Sequence, residues 1–151
     1  HPDHIAVHEQ TTAAVAVLVD KPPALYYVTI PDGLMPTIVK HAESVAAGRD
    51  SLTTPPRSIL GINDVNAFGS LSAPPTLVVD TGKFAVLKLR ALHCHRSQLH
   101  NCALTLVEES DAPRLLGLEH YQRAKIGSDG KTFLEQFGSE VSVVNDRSTK
   151  T

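Results

Sequence analysis

The apolar positions of this chain change period several times, and each change marks an element. Across 4–19, Ile5, Thr12, Val15, Ala16 and Val19 fall near one stripe of a helix, which Asp20-Lys21-Pro22-Pro23 ends. The run Ala24-Leu25-Tyr26-Tyr27-Val28-Thr29-Ile30 is aromatic, β-branched and nearly continuous in apolar content, so it predicts a strand. A run of that kind suits a strand buried on both faces, as in a parallel sheet. Pro31-Asp32-Gly33 reads as a turn. Pro36 then stands in the first turn of a second helix, with Ile38, Val39, Ala42, Val45 and Ala46 on its buried side and Gly48 at its stop.

From about 49 to 75 the periodicity is lost, and Pro55, Pro56, Gly61, Gly69, Pro74 and Pro75 punctuate the stretch. A loop of this length inside a compact domain is usually functional, and it is the expected determinant of substrate choice. A short strand is expected within it at 59–62. Thr76-Leu77-Val78-Val79-Asp80 predicts a second strand, and Thr81-Gly82 leads into a helix over 83–93 with Phe84, Leu87 and Ala91 on one face. A polar turn follows at 93–98, then a weaker helix at 101–109. The segment 117–126 admits either strand or helix. From Gly127 onward the chain is polar, and a loosely attached extension is expected.

Helices alternating with strands give the α/β rhythm. Two strands are too few for a parallel sheet of ordinary size. The expected architecture is therefore α/β, the second half of a sandwich whose first half lies outside this polypeptide. Residues 1–126 are expected to form the C-terminal portion of a single domain, and 127–151 a polar extension. An open sheet edge at the missing half favours pairing with another chain, as a homo-oligomer or with a complementing N-terminal half.

Composition narrows the function classes. The 151 residues are 42% hydrophobic and 20% charged, which is the balance of one globular domain. A net charge of -2 supplies neither a nucleic-acid footprint nor a polybasic membrane arm. The longest apolar stretch, 12–19, falls far short of a membrane span, and no signal peptide is visible. The first residue is not Met, so a processed product, an excised domain or a fragment is expected. Cys94 and Cys102 match no metal or redox spacing, and two reduced thiols in a cytoplasmic protein are the expectation.

The candidate chemistry is concentrated in His1-Pro2-Asp3-His4. Two imidazoles three apart with a carboxylate between them form a compact metal-capable group, and a neighbouring carboxylate can orient a ring. Pro2 and Asp3, the latter read as an N-cap, start a helix that would hold His4 on a rigid element. His8 lies one turn further on the same face, but the Glu of an H-E-x-x-H site is absent, so it reads as a supporting or surface residue.

Three stretches together resemble the LmbE/PIG-L family of zinc-dependent N-deacetylases and amidases. The first is the His1–His4 tetrapeptide followed by a helix bearing Thr11-Thr12. The second is Val78-Val79-Asp80 with Lys88, Ala91, His93 and Ser97-Gln98, which has one extra residue before Ser-Gln relative to the family signature. The third is Gly117-Leu118-Glu119-His120-Tyr121. The resemblance covers roughly residues 1–126. It implies a Rossmann-like parallel-sheet sandwich and an enzyme that removes an N-acyl group from an N-acetylglucosamine-type sugar or a related amide. It also implies a bound Zn²⁺. His4 matches the metal ligand. His1 matches the group that protonates the leaving amine or stabilises the oxyanion, and Asp3 the carboxylate that orients His1. The family's early motif, which brings the other ligands and the general base, has no counterpart here. Pro31-Asp32 lacks the preceding His. The chain alone is expected to bind zinc weakly and to be inactive. The rival reading is a non-catalytic half-domain or interaction module on a deacetylase scaffold.

Overall fold

The computed structural model describes residues 2–49, 56–68 and 74–140. The expected helices and strands are present with small shifts of boundary. In chain order they are α1 (Pro2–Ala16), β1 (Ala24–Val28), α2 (Leu34–Ala47), β2 (Leu77–Asp80), α3 (Ala85–His93), α4 (Ala112–Leu116), β3 (Leu118–Gly127) and β4 (Gly138–Glu140). Short 3₁₀ turns occupy Val65–Ala67, Gly82–Phe84, Arg96–Gln98, Ala103–Leu106 and Leu134–Gln136. The weak helix expected at 101–109 is the fourth of these turns. The strand expected at 59–62 is a single bridge between Ile59 and Ile62, closed by Leu60 and Gly61, both at positive φ.

The chain is mixed α/β, but its sheet differs from the parallel one expected. The strand order is β1-β3-β2-β4, and each pairing between these strands is antiparallel. β1 and β2, the two strands evident from apolar content, do run in the same direction. β3 lies between them and runs against both, pairing Val28 and Leu77 with Tyr121 on its two sides. An apolar run predicts burial of a strand but not the direction of its neighbour. The strand that decides the matter is the polar, ambiguous segment 117–126.

The main apolar cluster joins Ile38, Val39 and Ala42 of α2, Ala85 and Leu89 of α3, Leu104 and Leu106, and Leu115 and Leu116 of α4. Ile59, within the long loop, is buried in it, and Ser58 is bonded to the 101–103 segment through Ser58 Oγ to the Asn101 carbonyl and Ala103 N–H to the Ser58 carbonyl. The face expected for α3 is corrected. Phe84 and Leu87 are 53% and 60% exposed and Ala91 is exposed, while Ala85 and Leu89, four apart, turn inward. At about 100° per residue, Leu87 and Ala91 lie on the side of α3 opposite Ala85 and Leu89, and Phe84 belongs to the 3₁₀ turn before the helix.

α1 is the least buried helix face. Val15 is its one buried residue, and Ile5 and Val7 stay 59% and 65% exposed. It lies against the sheet through a hydrogen bond between Thr12 Oγ1 and Tyr27 Oη (2.8 Å) and by Val15 beside Gly127. Part of the polar extension is firmly joined to the sheet, contrary to expectation. β4 pairs with β2, and Glu135 receives Tyr26 Oη at 2.6 Å, Arg123 Nη1 at 2.7 Å and the Thr132 N–H at 2.8 Å. Residues 141–151 lie outside the described residues. No described helix is long and apolar enough to cross a membrane.

Candidate functional site

His1 lies outside the described residues. Pro2 is the first residue of α1, the position where a missing N–H costs nothing. Asp3 is therefore inside the first turn rather than at the N-cap. There its carboxylate faces the positive end of the helix, which is favourable in the same sense. Asp3 and His4 are both exposed.

His4 and His8, one turn apart, line the same cleft between α1 and β1. The cleft has a volume of about 420 Å³, and Thr11, Tyr26, Tyr27 and Val28 complete its walls. The His8 ring lies 4.6 Å from the Tyr27 ring, centroid to centroid, at a tilt of 48°. That contact gives His8 a packing role beside His4, in line with its reading as a supporting residue. Because α1 leads back into β1, its N-terminal turn lies toward the carboxyl end of that strand. His4 thus lies near Val28, at the carboxyl end of β1.

A zinc site needs three protein ligands and an open position. Among the described residues no three His, Cys, Asp or Glu side chains come together to hold a metal. The described residues therefore do not complete a zinc site around His4.

The other two stretches that carry the family resemblance meet each other. Lys88 of α3 donates to Glu119 Oε1 at 2.5 Å and to the Leu116 carbonyl at 3.2 Å. Gly117 sits where a Cβ would fall 2.1 Å from the Pro113 carbonyl oxygen, so a side chain there would collide with α4. Thr81 holds the same corner by donating N–H and hydroxyl to the Gly117 carbonyl (2.7 and 3.1 Å). Asp80 Oδ1 accepts the Gly82 N–H at 2.8 Å. These residues form a structural joint between α3, α4 and β3, in which Glu119 is an acceptor. His93 meets the Leu104 carbonyl at 3.2 Å, and Ser97 and Gln98 are exposed in a 3₁₀ turn.

Beside this joint lies a second cavity of about 210 Å³, with Thr29, Lys88, Glu119 and His120 in an otherwise apolar wall. Burial holds the His120 imidazole below its ordinary pKa, Lys88 adding to the shift and Glu119 opposing it. Sequence reasoning missed both this cavity and the part of Tyr27.

A stretch of 99 residues, 66% of this chain, is 28% identical to a 1D-myo-inositol 2-acetamido-2-deoxy-alpha-D-glucopyranoside deacetylase of Mycolicibacterium gilvum (strain PYR-GCK). The match spans 32% of that relative, so the chain covers about a third of its length. No protein-family model matches the chain, and no solved structure matches it.

Proposed function

We propose that this chain supplies part of the active site of a zinc-dependent N-deacetylase acting on an acetylated amino sugar or a related amide. The observation that carries the proposal is the distant similarity to a deacetylase named for an acetamido-sugar substrate. The position of His4 on the wall of the 420 Å³ cleft supports it. In this reading His4 contributes one metal ligand, and the remaining ligands come from polypeptide beyond the described residues, either a complementing N-terminal part or a second copy. His1 carries the proton required by the departing amine, and Asp3 orients it. The cleft is large enough for a sugar and has hydroxyl and imidazole groups to meet one: Thr11, Tyr27 and His8. A cytoplasmic setting belongs to the same proposal, since Cys94 and Cys102 are free thiols.

The test is metal content and acetate release in the intact protein that carries this chain. His4→Ala is expected to abolish zinc retention, whereas His1→Ala keeps zinc and loses mainly kcat. Equal zinc loss from His1→Ala would refute the division of roles. The absence of a three-donor group among the described residues favours a second reading, an interaction module on a deacetylase scaffold. That reading gains if the intact protein retains no zinc and releases no acetate from N-acetylglucosamine conjugates.

A further inference from the structure

We propose that the 210 Å³ cavity beside the Lys88–Glu119 pair is a binding pocket for a short acyl chain, one longer than acetyl. The idea that this chain belongs to the scissile amide rests on the deacetylase reading. The pocket itself stands on geometry alone.

Its walls are hydrocarbon from four directions: Leu34 and Ile38 of α2, Leu92 of α3, Leu115 of α4 and Leu118 at the start of β3. The polar groups in the lining are Thr29, Lys88, Glu119 and His120. Lys88 and Glu119 already satisfy one another, and Lys88 also serves the Leu116 carbonyl. A sugar in this space would leave several hydroxyl groups without partners, at a cost for each. An alkyl group would leave none. An apolar cavity of about 150 Å³ is enough to stay dry and admit benzene, so 210 Å³ has room for a chain of about six carbons.

The pocket adjoins the candidate site. Val28, at the carboxyl end of β1, lines both this cavity and the cleft of His4 and His8. It is 70% exposed, so it separates the two spaces as a sill rather than as packed core. An amide lying over His4 can direct its acyl tail across Val28 into the hydrocarbon recess while its polar part stays among His8, Thr11 and Tyr27. The loop 49–75, expected from sequence to set substrate choice, contributes Ile59, Leu60 and Phe68 to the recess.

The direct test is titration of the 151-residue chain with hexanamide, butanamide and acetamide, read by the methyl resonances of Leu92, Leu104 and Leu115. Hexanamide is expected to shift these methyls saturably, and acetamide to leave them unmoved. Each methylene removed should weaken binding about fourfold, the equivalent of ~0.8 kcal/mol per buried methylene. Leu118→Trp and Leu34→Trp place an indole into the space from two separate elements, and circular dichroism checks that each variant is folded. Either folded variant should reduce hexanamide affinity at least tenfold. Shifts scattered over the surface, or unchanged affinity in both folded variants, would overturn the pocket. The link to the proposed activity has a separate readout. If the intact protein cleaves N-hexanoylglucosamine more efficiently than N-acetylglucosamine, and Leu118→Trp reverses that order, the tail occupies this pocket during the reaction. Saturable binding with no hydrolysis of either amide counts against the deacetylase reading and leaves the pocket assigned.

Discussion

Lys88 Nζ lies 2.5 Å from Glu119 Oε1 and 3.2 Å from the Leu116 carbonyl, so one ammonium joins α3 to the corner where α4 becomes β3. The side chains are 35% and 28% exposed, between the regimes of surface and buried ion pairs. Lys88→Met leaves Glu119 and the Leu116 carbonyl short of a donor at the edge of an apolar cavity. The expected loss is about 1–3 kcal/mol in urea unfolding. Pairing it with Glu119→Leu should recover part of that loss, because both charges then disappear together. A loss within experimental error for Lys88→Met would place the pair with ordinary surface salt bridges.

Gly117 is required by space. Its φ is an ordinary -80°, but an added Cβ would fall 2.1 Å from the Pro113 carbonyl oxygen and 3.0 Å from the Gly82 Cα. Gly117→Ala must push α4 away from the turn that opens α3. A destabilisation of about 2–4 kcal/mol is expected, in the upper range for single substitutions. Equilibrium unfolding beside Gly48→Ala checks it. At Gly48 the nearest contact of an added Cβ is the Val45 carbonyl at 3.6 Å, and little change is expected.

Stability should fall in two steps as the solution is acidified. Burial first, with Lys88 adding and Glu119 opposing, lowers the His120 pKa below its ordinary 6.5. Unfolding therefore takes up a proton, so the contribution is complete above pH 6.5 and is lost as pH falls through the folded-state value. Glu135 behaves likewise lower down. The Tyr26 hydroxyl, the Thr132 N–H and Arg123 hold its carboxyl below the ordinary 4.5, so its contribution is complete above that pH and is lost below it. Melting temperature measured from pH 8 to pH 3 should show both declines. His120→Gln should remove the first and Glu135→Gln the second. Melting that rises between pH 6.5 and pH 5, and does so less in His120→Gln, would contradict the sign.

Arg123 is the anchor of the segment after β3. Its guanidinium donates to Glu135 Oε1 at 2.7 Å, to the Ser128 carbonyl at 2.8 Å and to the Gly130 carbonyl at 2.5 Å. Arg123→Met removes all three bonds and keeps much of the aliphatic stem. Amide exchange in 128–136 should rise well above that of α2, which is packed in the main apolar cluster. Uniform acceleration in both regions would mean that the anchor holds the whole fold rather than the extension.

Much of the local structure is legible in the pattern of residues. Ile38, Val39, Ala42 and Ala46 mark the buried side of α2, and each is buried. Leu77 and Val79 alternate inward on β2, as period two requires. The approximate limits of the helices and of β1 and β2 follow because propensity, caps and breakers act within a few residues. The candidate site was legible only in part. His4 and His8 share a helix face by their spacing alone. Tyr27 meets them through a strand, and spacing along the chain carries no record of that.

What tertiary structure alone decided is pairing. The segment 117–126 has no clear period, yet β3 is central, because it can complete hydrogen bonds for β1 and β2 at once. That insertion makes antiparallel neighbours of strands whose apolar runs had pointed to a parallel sheet. The polar stretch after Gly127 is held by Arg123 and Glu135, twelve residues apart in the chain but in contact in space. Local chemistry determines which residues form helix or strand. Which backbone edge a strand satisfies, and which charge finds which partner, is settled only when distant segments compete for the same unpaired groups.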